Sequence, residues 1–313
     1  MSVKSAKYPA NMVCDLKEHL DGYKIVNISI GANNGYYILA VDNVPERING
    51  MFVQIQTSAL HNYKVIIVQW DNVYTLNIDN QKWNYHYVQP IGDDKVILAC
   101  ARLKYYGRNK YDLNGKIFDL NGTLIKEILL GDGIQDMKVT DKDVIWTCYF
   151  DEGVFGNYGW NDPIGANGLR AWNQDGEAVY IHNNRDDNFI CDCYALNVVN
   201  DNEVWFYYYC DFQLGKIKGG KIDYYDPKIS GADGFLIYDR YVLFRGGYNN
   251  QNEYHLLHFV KDDKLREERT ITFTDEDDKV IVAENYDCSG SKLLLTVGSK
   301  LYNIDLIDII WKD

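Results

Sequence analysis

Six times along this chain a tight polar turn leads directly into an apolar triplet. The turns are Asn33-Asn34-Gly35, Asp93-Asp94-Lys95, Asp141-Lys142-Asp143, Asp201-Asn202-Glu203, Asp239-Arg240 and Gly290-Ser291-Lys292. The triplets are Tyr37-Ile38-Leu39, Val96-Ile97-Leu98, Val144-Ile145-Trp146, Val204-Trp205-Phe206, Tyr241-Val242-Leu243 and Leu293-Leu294-Leu295. Turn and triplet recur at a spacing of about 50 residues with strand chemistry and no helical period, the pattern of a radial array of β-sheets. A second turn type falls between them. Phe118-Asp119-Leu120-Asn121-Gly122 and Trp172-Asn173-Gln174-Asp175-Gly176 end apolar strands in Asn-Gly and Asp-Gly, the strongest short-range hairpin signals. A weaker version runs from His258 to Asp263.

Two hairpins per repeat make four antiparallel strands, which is one propeller blade. The sequence therefore predicts an all-β fold, a β-propeller of six four-stranded blades in one domain spanning 1–313, with about 52 residues per blade. A seventh blade is the alternative, because the long interval between Asn34 and Asp94 holds a further hairpin-like stretch, Lys64 to Gln69 and Val73 to Leu76. The last repeat stops after its third strand near Ile304. A segment around Met12-Val13-Cys14 is expected to supply the missing strand and close the ring, since an open array would leave a sheet edge unpaired.

Composition narrows the function classes. An apolar share of 46% with 14% aromatic residues suits a packed core, and only five prolines interrupt potential central strands. The formal charge of −13 argues against nucleic acid and against an anionic membrane surface, both of which need a basic patch. Neither partner is expected. The segment Met1 to Pro9 lacks an apolar stretch of the signal-peptide kind, and seven cysteines scattered through apparent strands read as reduced thiols. Both point to a cytoplasmic protein.

Long connections on a rigid scaffold are where binding concentrates. If the tight turns join first to second strands on one face, the second-to-third connections lie on the other. They are expected at Ala101–Tyr111, Asp151–Gly168, Asp211–Gly219 and Gly246–Asn252. The stretch from Asp151 to Gly165 mixes glycines, aromatic rings and carboxylates, which fits a sugar-like or cationic ligand, or equally a self-packed loop. The candidate ligand-binding residues are His86, Gln89, Arg102, Asp136, Asp151, Glu152, Asn157, Trp160, Asp192, Tyr194 and Tyr248, expected to gather near the axis. Arg102, with Tyr105, Tyr106 and Arg108, would suit an anionic small molecule or simply form a rim. Cys191 and Cys193 share a strand face, but no second cysteine pair accompanies them for a zinc site, so they read as structural thiols.

Several of these segments also carry a resemblance. Tyr149 to Trp160, preceded by Gly131-Asp132-Gly133-Ile134 and followed by Cys191-Asp192-Cys193-Tyr194-Ala195-Leu196-Asn197, is similar to an uncharacterised family of bacterial β-propeller-like, WD40-like proteins. That resemblance implies a bacterial intracellular propeller and transfers no catalytic residue.

No Gly-x-Ser-x-Gly elbow, His-Glu-x-x-His pair, P-loop or Gly-x-Gly-x-x-Gly stands in the required context. The leading expectation is a non-catalytic binding or scaffold protein holding an unidentified protein, small molecule or sugar, without a cofactor. One alternative is a metal-assisted hydrolase or lactonase with Ca²⁺ in a carboxylate-lined channel. Its ligands would be Asp151, Asp192 and Asn197, with Asp136 and Asp233 converging on the same point. Another is a carbohydrate-binding module offering Trp160, Tyr158 or Tyr248 as a flat platform.

Overall fold

A computed structural model describes residues 4–51, 53–70, 72–185, 188–248, 250–261 and 264–311. Strands account for 55% of the chain and helices for 7%. Asp262 and Asp263, in the weakest hairpin signal, lie outside the described residues, as does Asn249 in the Gly246–Asn252 connection. No helix among the described residues is long and apolar enough to cross a membrane.

The fold is a six-bladed β-propeller with four-stranded antiparallel blades. The first blade is Lys24–Ile30, Tyr36–Val41, Gln56–Gln69 and Asn72–Trp83, hydrogen-bonded in chain order. The second is Tyr87–Ile91, Lys95–Ala99, Gly115–Asp119 and Leu124–Ile128; the third is Ile134–Val139, Ile145–Tyr149, Leu169–Trp172 and Ala178–Ile181. The fourth is Asp192–Asn200, Glu203–Tyr209, Gln213–Lys218 and Lys221–Tyr225. The fifth is Gly234–Tyr238, Tyr241–Arg245, Tyr254–Phe259 and Leu265–Thr274, with Lys4–Pro9 added in parallel as a fifth strand. The sixth is Asn285–Ser289, Lys292–Val297 and Lys300–Asp305, completed by the N-terminal strand Asn11–Asp15.

All six tight turns join the first two strands of a blade. The hairpin at 64–76 is not a seventh blade: it is the outer half of the first, in two long strands. The expected connection at Asp211–Gly219 is also corrected. Gln213–Lys218 is the third strand of the fourth blade, leaving only 210–212 as a turn.

The chain divides into two compact units, Lys17–Cys193, and Met1–Leu16 with Tyr194–Asp313. In the first, the apolar triplets are continuous because these strands are buried on both faces. Val96 and Leu98 enter a core with Leu39, Val41, Val65 and Phe118, while Ile97 and Ala99 point the other way, into a core with Met137, Ile145 and Trp172. The second unit repeats the arrangement, with one core around Trp205, Tyr207 and Phe244 and another around Leu243, Leu295 and Tyr302.

Candidate functional site

Within the first unit, the second-to-third-strand connections of its three blades, residues 42–55, 100–114 and 150–168, are tied together. Tyr158 donates its hydroxyl to the Val53 carbonyl (3.1 Å), Gln56 Nε2 donates to Asp112 (3.1 Å), and Trp160 Nε1 donates to the Leu103 carbonyl (3.1 Å). Arg102, 7% exposed, is the hub. Its Nε and Nη2 each donate to a different oxygen of buried Asp132 at 3.0 Å, and its Nη1 reaches Glu152. Its guanidinium lies 4.3 Å from the centroid of the Tyr158 ring. Burial opposes the charge, but Asp132 and Glu152 outweigh it and hold Arg102 above its ordinary value. Every face of this cation is taken, so Arg102 and Glu152 brace the loops. Asp132, the residue that anchors it, was not singled out from sequence: in Gly131-Asp132-Gly133 it looks like an ordinary turn residue.

The segment 151–165 packs largely on itself and its neighbours. Residues Asp151–Phe155 form one helical turn, with Asp151 and Glu152 at its positive end, stopped by Gly156 at φ 97°. A side chain at Gly153 would place its Cβ 2.6 Å from the Asp132 carbonyl, so only glycine lets this turn sit against the 131–133 backbone. The Trp160 ring lies against Tyr105 and Tyr111, at 5.0 and 6.1 Å between centroids, which removes it as an open sugar platform. Asn157 turns its side-chain oxygen back to the Tyr158 N–H at 2.7 Å.

Three further candidates serve the first strands of blades two and three. His86 Nδ1 accepts the Ala101 N–H at 3.3 Å, and burial pushes its pKa down to about 4. It is uncharged at neutral pH. Gln89 is 1% exposed, and among the described residues neither its amide nitrogen nor its amide oxygen has a hydrogen-bond partner. Asp136 faces Lys138 at 3.6 Å.

The structure does bring Asp151 and Asp192 together. Asp192 accepts a hydrogen bond from the Asp151 backbone N–H. Burial, then the Asp151 charge, raise its carboxyl to about 6, with that hydrogen bond opposing. Among the described residues, neither carboxylate has a cationic partner. Beside them Phe155 and Phe189, 63% and 36% exposed, meet with ring centroids 6.1 Å apart. Asn184 bonds Ala166 O, Ile190 O and the Ile190 N–H, which ties Asn184 and Ile190 to the 164–168 turn. Phe155 lies in the aromatic-rich stretch 151–165, but neither it nor Phe189 is a named candidate, since local pattern does not reveal that an aromatic ring stays exposed.

In the second unit, the Tyr194 and Tyr248 hydroxyls lie 2.8 Å apart, within an aromatic cluster with Phe212 and Tyr209. Asn197 is fully buried; its amide donates to Phe235 O (2.8 Å) and Gly290 O (3.1 Å) and accepts from the Gly290 N–H (2.8 Å). It ties the backbone at Phe235 to the turn at Gly290. Asp233 is ion-paired with Arg245, whose guanidinium sits 3.9 Å from the Tyr286 ring centroid. Asn197 and Asp233 thus each have partners of their own within the second unit. Among the described residues no three His, Cys, Asp or Glu side chains gather as a metal site would require. The reduced-thiol expectation is also corrected. Cys14, Cys100, Cys148, Cys193 and Cys288 are free, but Cys191 and Cys210 are disulfide-bonded.

Residues 171–304 match the sequence model of the YxzG family. No curated protein sequence matches the chain. Among solved structures, it is similar to the β-propeller domain of Cps50 (Swd1) from Myceliophteria thermophila. That match has 8% identity and a TM-score of 0.51, over 94% of this chain and 99% of that one. At this identity the likeness shows the propeller fold alone. Hsv2 from Kluyvelomyces marxianus is 8% identical over 91% of this chain and 77% of that one, with a TM-score of 0.48. A gluconolactonase from Xanthomonas campestris is 12% identical over 97% of both chains, with a TM-score of 0.44. Neither of these two carries an argument about function.

Proposed function

We propose that the protein is a non-catalytic binding protein whose loop-rich rim, on the first three blades, receives a cationic segment of a partner. The observation that carries this reading is the Asp151–Asp192 pair. Asp192 is partly buried beside the exposed Asp151 without a counter-cation, which costs free energy in the free protein, and a bound ammonium or guanidinium removes that cost. Phe155 and Phe189 add an exposed apolar, π-rich surface beside the charge, suited to the stem and face of an arginine or lysine side chain. The chain's excess of 45 acidic over 32 basic residues would steer such a partner toward it. Propellers lend themselves to this use as rigid platforms, which is an argument from fold alone.

Fluorescence anisotropy with a labelled oligo-arginine peptide tests the assignment. The double variant Asp151→Asn/Asp192→Asn should weaken binding at least about tenfold, equivalent to about 1.4 kcal/mol. The double variant Asp275→Asn/Asp277→Asn removes the same charge from an exposed turn and should change binding little. Equal losses in the two variants would reduce the effect to net charge and sink the assignment.

A further inference from the structure

Away from the acidic pair, Asn43 to Glu46, Gln54 and the start of strand Gln56–Gln69 line a half-open cavity of about 440 Å³. His61 stands in its wall, 9% exposed, at a point where the strand twice loses register with its neighbour. Such bulges turn a side chain out of the ladder. Nδ1 of His61 lies 3.3 Å from Asp42 Oδ1. Asp42 is fixed in turn: Oδ1 accepts the Asn43 N–H (2.7 Å), and Oδ2 accepts the backbone and side-chain N–H groups of Asn62 (3.0 and 3.1 Å). Burial works against its charge, but the Asn62, Asn43 and His61 contacts outweigh it and hold Asp42 below the usual carboxylate range.

His61 lines the cavity and Asp42 does not, and with Nδ1 engaged by Asp42 the other ring nitrogen, Nε2, is the one left to the cavity. Among the described residues no group bonds that nitrogen. With the Nδ1 proton directed at Asp42, an unprotonated Nε2 is an acceptor available to a ligand in the cavity. The remaining polar groups are the Glu46 carboxylate, the Asn43 and Gln54 side chains, and the Thr57 and Ser58 hydroxyls. This lining is rich in acceptors. Among the described residues that line it there is no lysine or arginine to neutralise a phosphate or carboxylate. The volume falls in the range of about 300–1,000 Å³ usual for small-molecule sites.

We infer that this cavity binds a small neutral polyol of monosaccharide size, one hydroxyl of which donates to Nε2 of His61 while another donates to Glu46. The position of His61 is set by Asp42, so the acceptor is pre-oriented before the ligand arrives. This site is independent of the Asp151–Asp192 pair.

Saturation-transfer difference NMR on the full chain tests it, with D-glucose, D-galactose and myo-inositol as probes and glucose 6-phosphate as the anionic comparison. At least one neutral probe should show transfer, and glucose 6-phosphate should show several-fold less. The transfer should vanish in His61→Leu and persist in Asp151→Asn/Asp192→Asn. Should His61→Leu not fold, exposed Glu46→Gln serves in its place and should lower the signal several-fold. Absence of transfer from all three neutral probes would overturn the inference. So would transfer indifferent to these cavity substitutions, or a preference for the phosphate. Loss of oligo-arginine binding with intact polyol transfer would bear only on the acidic pair.

Discussion

Asp192 carries the largest consequence at the scale of single residues. Its carboxyl titrates near 6 in the fold, raised by burial and by Asp151, against about 3.9 in an unfolded chain. For an acid whose folded pKa is raised, the favourable contribution is complete below the unfolded value and is lost as pH rises through the folded one. Stability from this residue should therefore decline between about pH 4 and pH 6 and stay low at neutral pH. Asp192→Asn keeps an acceptor for the Asp151 N–H and removes the charge. Because the group is partly solvated, the gain at pH 7 should be about 1 kcal/mol, well under the unscreened value. Urea denaturation at pH 7 and at pH 4.5 reads this directly: the variant should be more stable at the higher pH and nearly matched at the lower. A variant less stable at pH 7 would mean that Asp192 serves mainly as a hydrogen-bonding brace.

The loops of the first unit behave as one element because Arg102 joins them. Residues in the 100–114 connection, the 131–133 turn and the helical turn at 151–155 meet through this one guanidinium. Asp132 also accepts the Leu103 N–H at 2.6 Å, so it neutralises the cation and fixes the backbone that presents it. Removing one partner of a buried pair strands the other's charge. Asp132→Ala should cost about 3–5 kcal/mol in a denaturation midpoint analysis. Glu152 is 34% exposed at the side chain, and Glu152→Gln should cost under about 1 kcal/mol. Comparable losses in the two variants would show that the outer carboxylate carries as much of the bracing as the buried one.

At the level of the whole molecule, the N-terminal segment has a structural role out of proportion to its burial. Asn11–Asp15 pairs with Lys300–Asp305 as the outer strand of the sixth blade, and Lys4–Pro9 covers the edge of the fifth. Deleting the chain through Asp15 would bare two strand edges, each a template for pairing with another molecule. The truncated chain should melt at least a few degrees lower and show concentration-dependent association by light scattering. A truncated protein that stays monomeric with an unchanged melting temperature would show that these strands are dispensable.

The sequence by itself determined the turns, the strands that follow them and the number of blades, because each depends on chemistry within a few residues. Asn33-Asn34-Gly35 or Asp239-Arg240 bends the chain wherever it occurs, and a triplet such as Val96-Ile97-Leu98 declares a strand buried on both faces. Even the N-terminal completion of the last blade followed from counting strands. The hairpin at 64–76 misled only because strand chemistry does not say which sheet a strand joins; a long connection at 42–55 placed it in the first blade. The candidate sites needed the tertiary structure. Asp151 and Asp192 are both legible as carboxylates in unusual segments, but their meeting, through the Asp151 backbone N–H, brings together residues 41 positions apart. Asn157, Trp160 and Asn197 looked equally available, yet packing and hydrogen bonding commit them locally. His61 was passed over because a histidine in a polar strand becomes an oriented acceptor only when a bulge turns it toward a cavity and Asp42 fixes its ring. Local periodicity fixes which residues become strands; the order in which loops pack decides which polar groups are left unpaired.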